Sequence, residues 1–198
     1  AGVFVMEAMW TRFLPHVAAV HQVIESGEIG EVVAVHADHG QFFPFDPAHR
    51  LYDPALAGGA LLDLGVYPVA FAHDVLGAPT SVSAVGALTE TGVDGQLGIV
   101  LSYGDRTQAV LSTTLWAKTP TTAAISGTEG TITIDGSFYA PTSFQVRRRD
   151  GRSWTFAQPV ERGLQYEAAE VARRVAEGAT ESPRMSWGDT LAVLRTMD

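Results

Sequence analysis

Two side chains that could exchange a proton with a substrate lie four residues apart in the stretch GGALLDLGVYP, residues 58–68. If this stretch is helical, Asp63 and Tyr67 lie on one face, because residues i and i+4 are neighbours on a helix surface. A carboxylate in apolar surroundings is costly unless it is paired. The spacing therefore predicts that this helix face borders a cleft or a partner that uses both groups.

The phenol and the carboxylate need a cation before they can carry out acid–base chemistry. A tyrosine, with a pKa of about 10, exchanges protons readily near neutral pH only if a neighbouring cation lowers that value. The chain has one lysine, Lys118, in a turn-like segment where a lysine is usually solvated. On spacing alone the alternative stays open that Asp63 caps a helix and Tyr67 fills the core.

Histidines and arginines supply the other candidate site residues. On a strand, His36 and Asp38 share one face and His39 points to the other. A metal site needs three convergent ligands, and no fixed ligand spacing is present, so we predict no metal. Arg12 and Arg50 lie in irregular segments beside aromatic residues, where they could hold a ligand phosphate or amide, so both are candidate cofactor contacts.

The elements around these residues indicate an α+β fold, a large open sheet with helices on one face. We predict helices over 14–26, 58–76 and 165–177 and from 186 or 187, and a strand over 32–41. From Ser81 onward the period-two pattern predicts an antiparallel meander of six or more strands, with turns such as Gly92–Gly95. The alternation predicts inward side chains at Val82, Ala84, Gly98, Val100, Ser102, Ala109, Leu111, Thr113, Ala123 and Ile125.

The first residues, Gly2–Met6, form a continuous apolar run with strand character. Such a run usually lies in the middle of a sheet that is buried on both faces, and a strand cannot be the sole member of its sheet. We therefore expect residues 1–14 to be the last strand and junction of a preceding domain, and residues 15–198 to form a second domain.

Composition narrows the function classes. The net charge of -9 argues against nucleic acid and anionic membranes as partners. No apolar run approaches the roughly 20 residues of a membrane span, and the start lacks the basic region and cleavage site of a signal peptide, so we expect a cytoplasmic protein. The chain has no cysteine, hence no disulfide or thiol nucleophile. It also contains no phosphate-binding loop of its own.

Several motifs in a fixed order resemble the glucose–fructose oxidoreductase / inositol 2-dehydrogenase (Gfo/Idh/MocA) family, and within it the trans-dihydrodiol dehydrogenase branch. The motifs are Met6–Pro15, Gly27–Val32, Arg50 with Asp53-Pro54, residues 58–68, Ser126–Gly130 and Tyr166–Ala168. The match runs the length of the chain. It implies a C-terminal substrate-binding and oligomerisation domain that follows an NAD(P)-binding domain.

The resemblance also implies roles for the site residues. Tyr67 would be the proton donor or acceptor for a substrate hydroxyl or carbonyl, and Asp63 would position the substrate and a lysine from the nucleotide-binding domain. NAD or NADP would be bound mainly by that preceding domain. Arg50 and Tyr166 match the positions where this domain touches the dinucleotide.

The resemblance further implies a substrate pocket lined by aromatic residues, with Trp10 and Tyr139 at two of its positions. His39 stands where the dihydrodiol branch carries an aromatic hydrocarbon side chain, and Tyr139 replaces a tryptophan. Both changes make the pocket more polar, so we expect a sugar or polyol substrate rather than an aromatic diol.

The resulting hypothesis is an NAD(P)-dependent oxidoreductase that interconverts a secondary alcohol and a ketone on a sugar, polyol or diol. We expect a homodimer or homotetramer that assembles through the sheet, and we expect these 198 residues alone to be inactive. One alternative is a non-catalytic binding or scaffold module that self-associates through its open sheet. Another is a metal-dependent sugar isomerase, which would need a bound divalent ion.

Overall fold

Helices pack against one face of a large sheet in the computed structural model, which describes residues 2–198. The helices are α1 (Pro15–Glu25), α2 (Val66–Leu76), α3 (Leu164–Ala176) and α4 (Trp187–Met197). The strands are β1 (Val32–Gly40), β2 (Ser81–Leu88), β3 (Asp94–Tyr103), β4 (Thr107–Thr114), β5 (Ala123–Gly127), β6 (Gly130–Ile134), β7 (Phe144–Arg148) and β8 (Ser153–Phe156). The predicted α+β class is confirmed.

The sheet order is β2-β3-β4-β1-β5-β6-β7-β8, with β1 at its centre. Strand β1 runs parallel to β4 and antiparallel to β5, so Val35 lies between Ala109 and Ile125. All the other neighbouring strands pair antiparallel. Because β1 inserts between β4 and β5, the meander predicted from Ser81 onward is interrupted there.

The core lies between the helices and one face of the sheet, and the opposite face, here called the open face, is left uncovered by the described helices. On β1, Val35 and Ala37 are buried whereas His36 is exposed. The predicted division of His36 and Asp38 from His39 is thus confirmed. The open face carries apolar residues, since Val33, Val100 and Val110 are each more than a third exposed.

The predicted inward side chains are confirmed on β4 and β5 and wrong on β3, whereas on β2 Val82 and Ala84 lie opposite the buried Leu101 and Ile99 but are themselves exposed. On β3, Ile99 and Leu101 are buried and Val100 is 36% exposed, so the phase is shifted by one residue. Strand β2 is exposed along its whole length, with Val85 82% exposed. On β3 the buried face carries Leu97, Ile99 and Leu101, whereas Val100 shares the other face with Gln96 and Ser102, so the alternation itself identifies the face that meets the helices.

The predicted strand at Gly2–Met6 is not formed, because no described strand pairs with it. The segment is instead tied to the far end of the chain. The N–H of Val5 donates to the carbonyl of Thr180 at 3.0 Å, and the indole N–H of Trp187 donates to the carbonyl of Val5 at 2.9 Å. Its place in a preceding sheet stays a prediction, and Ala1 lies outside the described residues.

One stretch, Pro54–Leu76, is long and apolar enough to pass as a membrane span by length and composition, contrary to the expectation from apolar runs. Half of its most apolar 18-residue stretch is buried inside the fold, as is common for a core helix. It contains a short turn at Pro54–Leu56, a π-helical turn at Leu61–Gly65 and then α2.

A buried carboxylate on α3 predicts acid-sensitive stability. Burial alone would raise the pKa of Glu170, but hydrogen bonds from Ser182, Arg174 and Arg173 outweigh it and lower the pKa to about 2. The stabilisation is full above the unfolded value of 4.5 and is lost as the pH falls toward the folded value. We expect Glu170→Gln to lower the free energy of unfolding by about 3 kcal/mol at pH 7 and by much less near pH 2.

Thermal denaturation of the wild type and the variant across this pH range checks the prediction. Glu177→Gln is the matched control, because Glu177 pairs with the same two arginines but is exposed, and exposed pairs contribute about 1 kcal/mol or less. Equal effects of the two variants at pH 7 would contradict the assignment.

Candidate active site

The helical segment that carries Asp63 and Tyr67 begins at two glycines because the backbone is crowded there. A Cβ on Gly58 would lie 2.7 Å from the carbonyl oxygen of Leu51. Gly59 has a φ of +120°, which L residues rarely adopt, and a Cβ there would clash with the carboxylate of Asp94. The glycine pair thus lets Asp94 reach the start of the segment.

Asp94, the first residue of β3, caps this segment. Its Oδ2 accepts the N–H of Leu61 at 2.7 Å, one of the N–H groups that a helix start leaves without an internal partner. Burial raises the pKa of Asp94, and hydrogen bonds from backbone N–H groups including Leu61 and Ala60 oppose that rise. The sequence analysis missed this residue, because Gly92–Gly95 was interpreted only as a turn.

His39 is fixed to this segment by the carbonyl of Leu64, to which residue 68, a proline, cannot donate. A proline at position 68 has no N–H to donate to the carbonyl of Leu64, four residues earlier. The Nδ1–H of His39 donates to that carbonyl at 3.1 Å. With its proton on Nδ1, the ring accepts at Nε2 from the side-chain amide of Gln41, at 3.0 Å.

The rings of Trp10, His39, Tyr67 and Tyr139 form one cluster, here called the aromatic group. The centroid of the Tyr67 ring lies 4.6 Å from that of Tyr139 and 5.4 Å from that of His39. Tyr139 lies 4.5 Å from His39 and 6.4 Å from Trp10. The structure therefore brings together the residues that the sequence analysis placed in the substrate pocket.

One of these residues does not contact substrate as predicted. His39 is only 1% exposed, and both of its ring nitrogens are occupied by Leu64 and Gln41. Burial also lowers the pKa of His39, outweighing the hydrogen bond to Leu64 and the nearby carboxylates. The ring is thus a neutral support behind Tyr67 and Tyr139, and its polarity adds nothing to the pocket surface.

Burial keeps the phenol of Tyr67 protonated. It raises the pKa of Tyr67, the Trp10 side chain acts against that rise, and the charges of Asp63 and Glu167 add to it. A buried hydroxyl prefers its neutral form when no cation is near. Within this chain, the phenol of Tyr67 is therefore protonated at neutral pH.

Asp63 and Tyr67 open onto one groove of about 300 Å³. The groove is lined by residues 7–9, by the helical segment and by α4. At its edge, Arg50 contacts Asp63 with an Nη1–Oδ1 distance of 2.7 Å, and the arginine side chain is 63% exposed. The i, i+4 spacing thus places the two groups at a cleft, as the sequence predicts.

The remaining predicted residues lie in different surroundings. The Arg12 side chain is only 8% exposed and forms ion pairs with Asp74 at 3.4 Å and Asp189 at 3.5 Å. This contradicts the predicted cofactor contact, because its guanidinium is committed to the packing of α2 against α4. Tyr166, in the first turn of α3, packs against the core, and its contact with the dinucleotide stays a prediction.

None of the groups that shift the pKa of Tyr67 within residues 2–198 is a cation. Lys118 is exposed and forms no ion pair with any residue between 2 and 198. Over the same residues, no three histidine, aspartate or glutamate side chains come together as metal ligands.

The cap at Asp94 should control both stability and the placement of the two site residues. We expect Asp94→Ala to lower the free energy of unfolding by about 1–2 kcal/mol, the usual effect of losing a helix cap. In the complete protein it should also reduce kcat, because a displacement of about 1 Å at a site can cost about 100-fold. Thermal denaturation and steady-state kinetics measure the two effects.

The matched control for this prediction is Asp94→Asn. Asparagine keeps one acceptor oxygen for the N–H of Leu61 and should retain most of the stability. Unchanged stability in Asp94→Ala would show that the cap does not hold the segment.

Comparisons with known proteins agree with the fold. The sequence profile of the GFO/IDH/MocA C-terminal domain matches residues 17–133. The chain is 38% identical over 207 residues to trans-1,2-dihydrobenzene-1,2-diol dehydrogenase of Xenopus tropicalis, covering 100% of this chain and 62% of that protein. It is 32% identical over 228 residues to D-xylose 1-dehydrogenase (NADP(+)) of Hypocrea jecorina, covering 98% of this chain and 58% of that protein.

A solved structure shows the same fold. The crystal structure of aldose-aldose oxidoreductase from Caulobacter crescentus, complexed with glycerol, is similar with a TM-score of 0.83 at 23% identity, over 98% of this chain and 59% of that one. The chain thus spans about three-fifths of the length of these proteins. Because the profile covers more than half of the chain, the chain belongs to the GFO/IDH/MocA family and carries its C-terminal domain.

Proposed function

We propose that these residues are the substrate-binding domain of an NAD(P)-dependent oxidoreductase that interconverts a secondary alcohol and a ketone on a sugar, polyol or diol. The observation that carries the proposal is the Tyr67 phenol, held in the aromatic group beside Asp63 at the edge of a groove. The relatives support it, since their names describe dehydrogenases of a dihydrodiol and of D-xylose.

Tyr67 is proposed as the group that exchanges a proton with the substrate oxygen. In the reducing direction its O–H donates to the carbonyl oxygen, a role that suits a phenol whose pKa is raised by burial. In the oxidising direction the phenolate accepts the proton of the substrate hydroxyl. That direction requires a cation beside the phenol, and we propose a lysine from outside these residues, held in place by Asp63.

Asp63 is proposed to orient both the substrate and that lysine. Its present partner, Arg50, can leave easily, because an ion pair this exposed contributes about 1 kcal/mol or less. Release of Arg50 would free the carboxylate to accept hydrogen bonds from a substrate hydroxyl and from the ammonium group. The same release would free the guanidinium for a ligand phosphate.

The residues present fit a dinucleotide that is held mainly elsewhere. The exposed guanidinium of Arg50 at the groove edge could contact a phosphate, but the chain has no phosphate-binding loop. When bound, NAD(P) supplies the hydride exchange with the substrate carbon. The tasks of this domain are to orient the alcohol or ketone carbon, to exclude water and to move the proton at the phenolic oxygen of Tyr67.

We predict that the 198 residues alone show no NAD(P)-dependent turnover, because they lack both the phosphate loop and the lysine. Absorbance at 340 nm measures the reaction with aldoses, polyols and dihydrodiols, for this chain and for the complete protein in parallel. Activity in the complete protein alone supports the proposal. Turnover by the isolated chain would contradict it.

The second candidate function, a non-catalytic scaffold, is favoured by the apolar residues of the open face. Val33, Val100 and Val110 are exposed there, and open apolar faces are typical association surfaces. We propose that copies of the chain associate through this face in either case. The two functions differ at Tyr67, because assembly through the open face does not use a phenol on the helical side of the sheet.

A further inference from the structure

The π-helical turn at Leu61–Gly65 is held at both ends by side chains of the sheet. Asp94 of β3 caps its start, and the Nδ1–H of His39 on β1 donates to the carbonyl of Leu64, near its end, at 3.1 Å. That carbonyl also accepts an N–H from within the helical segment, whereas the bond from His39 joins this end of the turn to the sheet. Single π-helical turns are frequent at functional sites, and this one carries the carboxylate of Asp63.

Strand β4, which lies between β3 and β1, supports the same turn. Thr113 pairs with His39 across the two strands, and its hydroxyl donates to the carbonyl of Ala60, the residue before the turn, at 3.3 Å. A Cβ on Gly65 would lie 3.1 Å from the methyl group of Thr113, so the turn lies directly on this strand. The turn is thus fixed to one continuous region of the sheet.

His39 also contacts the proposed proton donor. The centroid of its ring lies 5.4 Å from that of Tyr67 and 4.5 Å from that of Tyr139. The side chain is only 1% exposed, and the amide of Gln41 bonds its Nε2 at 3.0 Å, so the ring has little freedom to rotate. A reactive group is held in a productive geometry by neighbours that are themselves locked in this way. One residue therefore fixes both the turn that carries Asp63 and the ring that carries the phenol.

We propose that His39 is a positioning residue for the reaction, which sets the placement of Asp63 and Tyr67 through its bond to the carbonyl of Leu64. This inference rests on the proposed function, because it takes Tyr67 as the group that transfers the proton. A displacement of about 1 Å at a site can cost about 100-fold in rate. Loss of the bond should therefore reduce turnover without removing a group that binds the substrate.

Two substitutions in the complete protein separate the two features of His39. His39→Phe keeps an aromatic ring and removes the N–H, whereas His39→Asn keeps an N–H at the position of Nδ1 and removes the ring. We expect His39→Phe to lower kcat by about 10- to 100-fold, with KM for D-xylose, used as the sugar probe, changed by less than about threefold. His39→Asn should retain more of the turnover. More turnover in His39→Phe than in His39→Asn would overturn the inference, because ring packing alone would then suffice.

His36→Phe is the matched control for these variants. It makes the same change on the same strand, but His36 is exposed on the open face, across the sheet from the turn. An exposed substitution of this kind should leave kcat within about twofold of the wild type. Equal losses of kcat in His36→Phe and His39→Phe would show that a phenylalanine disturbs β1 itself, and would overturn the inference.

Amide hydrogen exchange, measured by mass spectrometry, detects the loss of the bond without substrate or cofactor. In the ligand-free complete protein, residues 60–69 should exchange about fivefold faster in His39→Phe than in the wild type, the effect of losing one hydrogen bond. Exchange in β6 and β7 should stay the same, and His39→Asn should resemble the wild type. Unchanged exchange over residues 60–69 in His39→Phe would overturn the inference.

The two measurements together distinguish failure of this inference from failure of the proposed function. Faster exchange in the turn of His39→Phe, in a protein whose wild type turns over no sugar, would support the anchoring of the turn and reject the oxidoreductase. Sugar turnover that is insensitive to His39→Phe would reject the inference and leave the oxidoreductase in place. Neither turnover nor a change in exchange would overturn both.

Discussion

Replacing Tyr67 with phenylalanine in the complete protein is expected to lower kcat by about 10²- to 10⁴-fold, the usual contribution of a positioned proton donor. The substitution removes only the hydroxyl. The ring should keep its packing against His39 and Tyr139, whose centroids lie 5.4 Å and 4.6 Å away. Substrate KM should therefore change much less than kcat, and the thermal midpoint should stay close to that of the wild type.

Steady-state kinetics in both directions, together with the oligomeric state by light scattering, measure this prediction. An enzyme loses turnover and keeps its assembly. A scaffold keeps both its assembly and its function, because the open face lies on the other side of the sheet. A Tyr67→Phe protein with full turnover would show that another group transfers the proton.

Replacing Asp63 with asparagine should have the second largest effect, a loss of about 100-fold or more in kcat/KM. Asparagine preserves the size of the side chain and removes the charge that orients the proposed lysine. Without that ion pair the lysine would no longer lower the pKa of Tyr67, so the loss should be greater for alcohol oxidation than for ketone reduction. The ratio of the two rates is the measurement that identifies this role.

Arg50→Ala is the matched control for Asp63→Asn. Both variants break the same 2.7 Å ion pair, yet only one of them removes the carboxylate. We expect Arg50→Ala to raise KM for the cofactor with little change in kcat. Equal losses of kcat in the two variants would indicate that the ion pair itself matters, which would contradict separate roles for its two members.

Local features of the site could be predicted from the sequence. The side-by-side placement of Asp63 and Tyr67 follows from helix geometry alone. The sequence also indicates that Pro68 cannot donate to the carbonyl of Leu64, but the donor that replaces it, His39, lies 25 residues earlier and is identified only by the fold. The features that could be predicted depend on residues within one turn of each other.

Long-range features could not be predicted from the same patterns. Asp94 caps a segment 33 residues earlier in the chain, and its neighbours indicate only a turn. The insertion of β1 between β4 and β5 depends on pairing between distant strands, which no local alternation encodes. The shifted phase of β3 has a different origin, because Leu97, Ile99 and Leu101 mark the buried face locally and the prediction placed Val100 on it instead.

Arg12 shows that the residues beside an arginine in the sequence do not identify its partner in the fold. An arginine beside aromatic residues predicts a ligand contact, but here the guanidinium joins Asp74 and Asp189. Its partners lie on α2 and α4, far along the sequence. The prediction fails because the acidic residues that neutralise Arg12 become its neighbours only in the folded chain.

In the proposed reaction this domain presents an alcohol or ketone carbon for hydride exchange while Tyr67 moves the proton. The most direct test follows deuterium from C4 of a labelled nicotinamide cofactor to the product of the complete protein, by mass spectrometry and NMR. We expect deuterium on the carbon that bears the new hydroxyl, at a rate that falls sharply in Tyr67→Phe. Turnover without transfer of the label, or transfer at an undiminished rate in Tyr67→Phe, would contradict it.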